Sequence, residues 1–534
     1  MISLSFQEAW AMGVPQQKLF SSTKSFKTHL KDMDNNNYIM PDISINNISK
    51  FYENTKIFIT GATGFVGKAL VEKLLRSCDK VDAIFLLMRP KRGIPVEQRL
   101  KEFVKNPVFN RIKDKNPDAF EKVKVIPGDV GLPNLGLSDE DRIFLIKNID
   151  IVFHSAATVK FNENLKTAIT LNTLGTKRML ELCEKMEKLK SCVHVSTAFS
   201  NTDKDIIDEQ VYKPSYDAYA MINLIENLPD EVIESISSQL VGKHPNTYTF
   251  AKALAEQLVL EYSGNIPLAI VRPSIITAAW KEPFPGWVDN IGGITGILME
   301  CGRGTIKSIV CDDKCRMELI PVDIVVNTLL TSAWHTVAYG PTAMRVYNCT
   351  SGKLNPVTWK EFGEYTHKYS LKWPSKYVTW YPGFVYRTNT TVHNVCTMLY
   401  HNIPSALLDV FLYCTGKKPM MLKISRKFNQ ALIAGSFSST NEWNFESASY
   451  KSLAKAVENA EDGEFFSVNI ASNSGFDWDE YVGEFVKGVR QYILKDDISS
   501  LPKALSKLNR LYWFRIIFQA LAGLLALRMS IAYF

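Results

Sequence analysis

The sequence predicts an α/β chain: a doubly wound parallel sheet, then a smaller, mainly helical region and an apolar C-terminal segment. Three observations carry that expectation. Between residue 56 and about residue 350, short β-branched runs alternate with stretches of helical periodicity, the pattern of a sheet covered on both faces. The first of these runs breaks into Gly61, Gly64 and Gly67, evenly spaced ahead of a helical stretch. Beyond about residue 360 the alternation fades into aromatic-rich sequence with helical spacing.

Size and composition bound the rest. A chain of 534 residues exceeds one core, and at roughly 150 residues per domain it divides into two or three. With 46% apolar and 22% charged residues it is globular, and a net charge of +7 is too mild for a nucleic-acid binder while suiting an anionic ligand. Nine cysteines form no CxxC pair, and the closest spacing, Cys311 to Cys315, has no second pair. They read as reduced, buried thiols of a cytosol-facing protein, with no metal site. No internal repeat or low-complexity tract is visible.

Residues 1–47 are polar and Asn-rich without the continuous apolar core of a signal peptide, and are expected to be a mobile extension. The first strand, Lys56-Ile57-Phe58-Ile59-Thr60, runs into Gly61-Ala62-Thr63-Gly64-Phe65-Val66-Gly67 and then a helix. Gly61 permits the turn, Gly64 lets backbone amides approach a pyrophosphate at the positive end of the helix, and Gly67 lets helix and strand pack closely. Thr60, Gly61, Thr63, Gly64, Phe65, Val66 and Gly67 therefore form a candidate Rossmann-type dinucleotide cradle.

The second strand, 83–88, is followed by Arg89-Pro90-Lys91-Arg92, whereas Asp79 and Asp82 precede it, at its wrong end. Guanidinium groups welcome a 2′-phosphate that a carboxylate would repel, so Arg89 and Arg92 point to NADPH over NADH. After the third strand, 123–127, Asp129 and Val130 could meet the adenine or could be turn chemistry, and both readings stay open. The fourth strand, 151–154, ends at His154, expected to be a packed residue, and leads to Ala156 and Ala157, small where backbone must pass the cofactor.

The fifth strand, 192–196, ends in Ser196-Thr197-Ala198, and a sixth spans 269–272. Between them lies Tyr248-Thr249-Phe250-Ala251-Lys252. On a helix the phenol and the ammonium share a face. A nearby lysine cation lowers the phenol's pKa from its usual value near 10, fitting the pair to donate a proton to a carbonyl oxygen oriented by the Ser196 or Thr197 hydroxyl.

These features and Arg272-Pro273-Ser274 together resemble the extended short-chain dehydrogenase/reductases. Further stretches narrow the resemblance to the eukaryotic, insect-like fatty acyl-CoA reductases. They are Ile48-Ser49-Lys50-Phe51-Tyr52, Glu72-Lys73-Leu74-Leu75-Arg76-Ser77, Leu87-Met88-Arg89-Pro90-Lys91 and His194-Val195-Ser196-Thr197-Ala198-Phe199 in the first half. In the second half they are Leu399-Tyr400-His401-Asn402-Ile403-Pro404, Gly416-Lys417-Lys418-Pro419, and Trp478-Asp479-Glu480-Tyr481 with Gly488-Val489-Arg490-Gln491-Tyr492.

The resemblance implies NADPH-dependent reduction of a long-chain acyl-CoA to a primary alcohol through an enzyme-held aldehyde. Tyr248 would be the general acid, Lys252 would tune it and hold the nicotinamide ribose, and Thr197, with Ser196 as the fallback, would orient the carbonyl. It implies a reductase domain over 48–360 and a second domain over 361–510, where Leu399, Ile403, Leu407, Leu408 and Phe411 read as core before acyl-channel lining. The rival readings are an extended short-chain dehydrogenase acting on a sterol or nucleotide-sugar alcohol, and a non-catalytic NADP-sensing protein. Homo-oligomerisation is left open.

The segment 511–534 is strongly apolar but interrupted by Arg515, Gln519 and Arg528, and a basic, aromatic flank precedes it. It is expected to associate with membrane lipid, whether lying on the bilayer or crossing its ~30 Å core. The tripeptide Ala532-Tyr533-Phe534 is not a peroxisomal signal, so the endoplasmic reticulum is the expected membrane.

Overall fold

The computed structural model describes residues 46–90, 93–340 and 344–533. The expected extension at 1–47 therefore lies, but for its last two residues, outside the described residues, as does Arg92.

Seven parallel strands form the central sheet: β1 Lys56–Thr60, β2 Ala83–Met88, β3 Val123–Pro127, β4 Ile151–His154, β5 Ser191–Val195, β6 Leu268–Pro273 and β7 Arg345–Cys349. Their order is β7-β6-β5-β4-β1-β2-β3. Ile57 of β1 stands between Ile84 of β2 and Ile151 of β4. The apolar runs predict this: every residue of β2, β4 and β5 is buried, as strands covered on both faces require. Strand order reverses between β1 and β4, so the crevice at their carboxyl ends is where a doubly wound sheet takes a ligand.

Three helices matter to that crevice: α1 Phe65–Ser77, α2 Thr247–Tyr262 and α3 Val322–Ala338. α2 covers the sheet through Phe250, Ala251, Leu254 and Leu258, all buried with Val152, Cys192 and Ile270. α1 and α3 pack on the opposite face with Ile57, Ile59, Phe153 and Val193. Asn246 caps α2, its side chain accepting from the Thr249 amide at 2.9 Å, so Tyr248 stands in the first turn.

The strands differ from expectation in detail. β5 spans Ser191–Val195, one residue earlier than expected at each end, and the Ser196 amide still donates to the Val271 carbonyl at 2.8 Å. β7 was not anticipated, because Arg345 and Asn348 interrupt its short apolar run. It pairs with β6, Val346 opposite Ile270.

The C-terminal half is helical and folds back on the sheet domain. The Asp462 carboxylate accepts from the Ile48 and Ser49 amides, and Lys73 of α1 donates to the Phe465 carbonyl. Beyond α3 run α4 Ile403–Cys414, α5 Met421–Ser439 and α6 Leu501–Tyr533. The expectation of a core built on Leu399, Ile403, Leu407, Leu408 and Phe411 is corrected here. All five are exposed, between 41% and 67%, because this stretch turns a different stripe toward the protein. Two stretches, Thr390–Cys414 and Ile498–Ile531, are long and apolar enough to cross a membrane by length and composition.

Candidate active site

The glycine turn joins β1 to α1. Gly61 has φ +75°, and a Cβ there would stand 2.7 Å from the Ala156 nitrogen and the Ser155 carbonyl carbon. Only glycine fits that backbone. A Cβ on Gly67 would lie 2.4 Å from the Gly61 oxygen, so the helix can approach the turn only without one. Gly64 is the N-cap of α1 and supplies no side-chain hydrogen bond. The first amides of α1 are left for an anion, with Thr63 and Gly64 exposed and Phe65 and Val66 half-buried beside them. An uncapped helix start in a cradle that any side chain would fill fits a dinucleotide phosphate.

Thr60 ties this turn to the end of β4. Its hydroxyl accepts from the Ala156 amide at 3.2 Å and pairs with His154 Nδ1 at 2.8 Å, and its carbonyl accepts from the Ser155 hydroxyl at 2.9 Å. His154 Nε2 meets the Thr176 hydroxyl at 3.2 Å, which itself donates to the Asn172 carbonyl. Burial, with help from the Lys252 charge, pushes His154 down to about 3, so it is a neutral strut and no proton carrier at pH 7. Asn172, in the π-helical stretch Ile169–Leu174, exchanges two hydrogen bonds with the Thr158 backbone and pins the loop that carries Ala156 and Ala157. Sequence reasoning missed this asparagine, since no motif marks it.

On the adenosine side, Arg89 is 68% exposed, its guanidinium 3.8 Å from the Asp129 carboxylate. Asp129 accepts from the Gly131 amide at 2.9 Å, which is turn chemistry. The Val130 carbonyl accepts from Arg178 at 3.1 Å.

The hydroxyls at the end of β5 point in different directions. Ser196, Ser200 and Asn201 all donate to the Glu256 carboxylate, at 2.5, 3.1 and 3.4 Å. Arg272 from β6 grips the same carboxylate with Nε at 2.8 Å and Nη2 at 2.7 Å, both residues fully buried. Ser196, the fallback for orienting the carbonyl, has its hydroxyl committed to the buried Glu256 carboxylate. The Thr197 hydroxyl caps the turn that follows, accepting from the Phe199 amide at 3.3 Å, and its side chain acts to lower the pKa of the Tyr248 phenol.

Tyr248 and Lys252 sit one helical turn apart, as expected, but the phenol's pKa moves the other way. Burial pushes Tyr248 up to about 12, opposed only by the Thr197 hydrogen bond. Lys252 is 2% exposed and donates to the Val195 carbonyl at 2.7 Å. Burial lowers it to about 8, against the pull of Glu256. Tyr248 is thus a protonated donor at neutral pH beside a charged amine. Phe161 covers it, ring centroids 6.1 Å apart. Glu256 was legible in principle, two turns along the same face of α2 from Tyr248.

Comparison with known proteins gives the family and the fold. Two family models, both described as male sterility protein, match residues 59–329, as an NAD-binding domain, and 400–496. Fatty acyl-CoA reductase 1 of Rattus norvegicus is 37% identical over 485 residues, covering 91% of this chain and 93% of that protein. The Homo sapiens protein of the same name and fatty acyl-CoA reductase 2 of Bos taurus are each 36% identical with the same coverage. Among solved structures, the reductase domain of a nonribosomal peptide synthetase from Mycobacterium tuberculosis superposes with TM-score 0.55 at 16% identity, over 85% of this chain and 97% of that one. The terminal R domain of the myxalamid pathway gives 0.53 at 19%, over 83% and 92%. These two share the fold. At such identity over nine-tenths of its length, this chain belongs to the fatty acyl-CoA reductases, within the extended short-chain dehydrogenase/reductase family.

Proposed function

We propose that this protein reduces long-chain fatty acyl-CoA to the primary fatty alcohol with release of CoA, using NADPH. A bound nicotinamide cofactor supplies hydride, two equivalents for each thioester carried to the alcohol. The chain's own groups do the rest. The amides at the start of α1 and the Gly61–Gly64 backbone would hold the pyrophosphate, and Arg89 would face the 2′-phosphate. Tyr248 would donate its proton to the carbonyl oxygen as charge develops there, while the Thr197 hydroxyl supports the phenolate left behind. The Lys252 ammonium, buried one turn away, would favour that same phenolate. Because the aldehyde presents the same carbonyl to Tyr248, both reductions fit one pocket.

The observation that carries this reading is α2 set against the end of β5, Lys252 donating to the Val195 carbonyl at 2.7 Å with Tyr248 one turn earlier, two strands from the glycine turn. Palmitoyl-CoA with NADPH should give hexadecanol and two oxidised cofactors per alcohol. Aldehyde accumulating in stoichiometric amount would contradict it. Tyr248→Phe should lower kcat by about 10²–10⁴ with NADPH binding retained. A sensor or scaffold would show no turnover to lose.

Membrane association through α6 belongs to the same proposal. From Tyr512 to Ile531 this helix exposes aromatic and aliphatic side chains, and an alcohol product partitions into lipid. Removing residues 511–534 should lower the share of the protein in the membrane fraction.

A further inference from the structure

The polarity of the stretch Thr390–Cys414 is inverted. A helix on a water-exposed surface turns its apolar stripe inward and its polar stripe out. Here the inward stripe is His393, Thr397 and His401, four residues apart and all buried. His393 Nδ1 meets the Ser308 hydroxyl at 2.9 Å, and His401 Nε2 accepts from the Lys307 amide at 2.9 Å. Leu399, Ile403, Leu407, Val410, Phe411 and Tyr413 face outward, between 41% and 75% exposed. No residue of α4 is buried.

Charge on this hairpin has one sign. Between residues 390 and 441 the only acid is Asp409, and its carboxylate accepts from the Met420, Met421 and Leu422 amides at 2.7–2.9 Å, capping α5. Lys417, Lys418, Lys423, Arg426 and Lys427 are exposed, and none of them pairs with a carboxylate among the described residues. An apolar face bordered by unpaired cations is complementary to an anionic bilayer surface. Three of those cations fall in the first two turns of α5, so the hairpin cannot cross the hydrocarbon and return.

The hairpin is also continuous with the root of α6. Lys307, whose amide holds His401, donates its ammonium to the Tyr381 carbonyl at 2.8 Å. The Tyr381 ring in turn packs on Tyr512 and under the Arg515 guanidinium of α6. We propose that α4 and α5 lie in the headgroup region of an anionic bilayer, apolar face down, as a membrane contact separate from the C-terminal helix.

The test uses the full chain in lipid nanodiscs with a nitrobenzoxadiazole label on native Cys414, which is exposed, after Cys315→Ser and Cys396→Ser. In discs containing phosphatidylserine, emission should shift to the blue and be quenched by lipids brominated high in their acyl chains. Reversing Lys417, Lys418, Lys423 and Lys427 to glutamate should lower the quenched fraction about tenfold while α6 keeps the enzyme on the disc. Leu407→Asp with Phe411→Asp should abolish quenching and leave the thermal midpoint unchanged. A label that stays in water, or a blue shift without lipid quenching that grows with enzyme concentration, would overturn the proposal, the latter because a second copy then covers the face. A fall in thermal midpoint for the aspartate pair would overturn it too, because the face would then pack against protein.

Discussion

Removing Glu256 should separate two roles that its carboxylate combines. In Glu256→Ala, Arg272 keeps its bonds to the Asp208 and Gln210 carbonyls at 3.0 and 2.7 Å but loses its only buried counter-charge. Breaking a buried pair by deleting one partner costs about 3–5 kcal/mol, a large share of a stability of roughly 5–15 kcal/mol. The variant should therefore unfold at markedly lower urea. Ser196, Ser200 and Asn201 lose their common anchor at the same time, and an ~1 Å drift of Thr197 is worth about 10²-fold in rate. Replacing both partners, Glu256→Leu with Arg272→Met, removes the stranded charge and should restore most of the stability but none of the rate. Urea melts and NADPH consumption with a saturating acyl-CoA read the two effects. A double variant that regains full kcat along with its stability would refute the positioning role.

Three further outcomes follow from the same coordinates. Gly64→Ala meets only the Gly61 oxygen at 3.2 Å, so it should fold and raise KM for NADPH, whereas Gly61→Ala should fail to fold because its Cβ meets backbone; differential scanning calorimetry beside kinetics separates them. Arg89→Glu should raise KM for NADPH at least tenfold and leave that for NADH nearly unchanged, since a charge-assisted contact to the 2′-phosphate is on the order of 1.5–3 kcal/mol. Lys252 is charged below about 8, so kcat should fall as pH rises through that value, and Lys252→Met should flatten that limb at a lower plateau. Stability moves oppositely: the unfolded lysine binds its proton more tightly, so between about 8 and the ordinary lysine value of 10.5 the burial penalty is relieved as pH rises, which wild-type and Lys252→Met melts compared across that range will show.

Legibility in the sequence followed burial. β1, β2 and β4 were bounded correctly because both faces of each are covered and their runs are apolar; β3, at the sheet edge with Lys124 and Pro127 exposed, was bounded correctly without that cover. Gly61 and Gly67 were readable because backbone geometry forces a glycine at each. β7 escaped, since Asn348 interrupts it. That side chain is no surface residue: it donates to the Ile207 and Glu446 carbonyls, tying the strand to the C-terminal half. Sequence also misjudged Leu399, Ile403, Leu407, Leu408 and Phe411, because helical periodicity shows that a stripe is apolar without showing what covers it. The direction of the Tyr248 shift was missed for a related reason. Spacing on a helix gives a neighbour's distance and leaves desolvation unknown, and here desolvation sets the direction of the shift.

The precision of this site comes from α2 stapling the end of β5 at successive residues. Glu256 takes the Ser196 hydroxyl, and Lys252, one turn earlier, takes the Val195 carbonyl. Each grip is a charge-assisted hydrogen bond in a dry interior, where such bonds are strongest. With residues 195 and 196 both held, the backbone at Thr197 has little freedom. One more turn back along the same helix face stands Tyr248, with the Phe161 ring beside it. The helical repeat of about 5.4 Å thus puts Tyr248 on the helix face whose next two turns hold Val195 and Ser196. Tyr248 need not be ionised at rest for this to work. A donor kept protonated by burial, with an oriented hydroxyl and a buried cation ready for the phenolate that proton transfer leaves, is arranged for the charge that develops during reaction and not for the charge present before it.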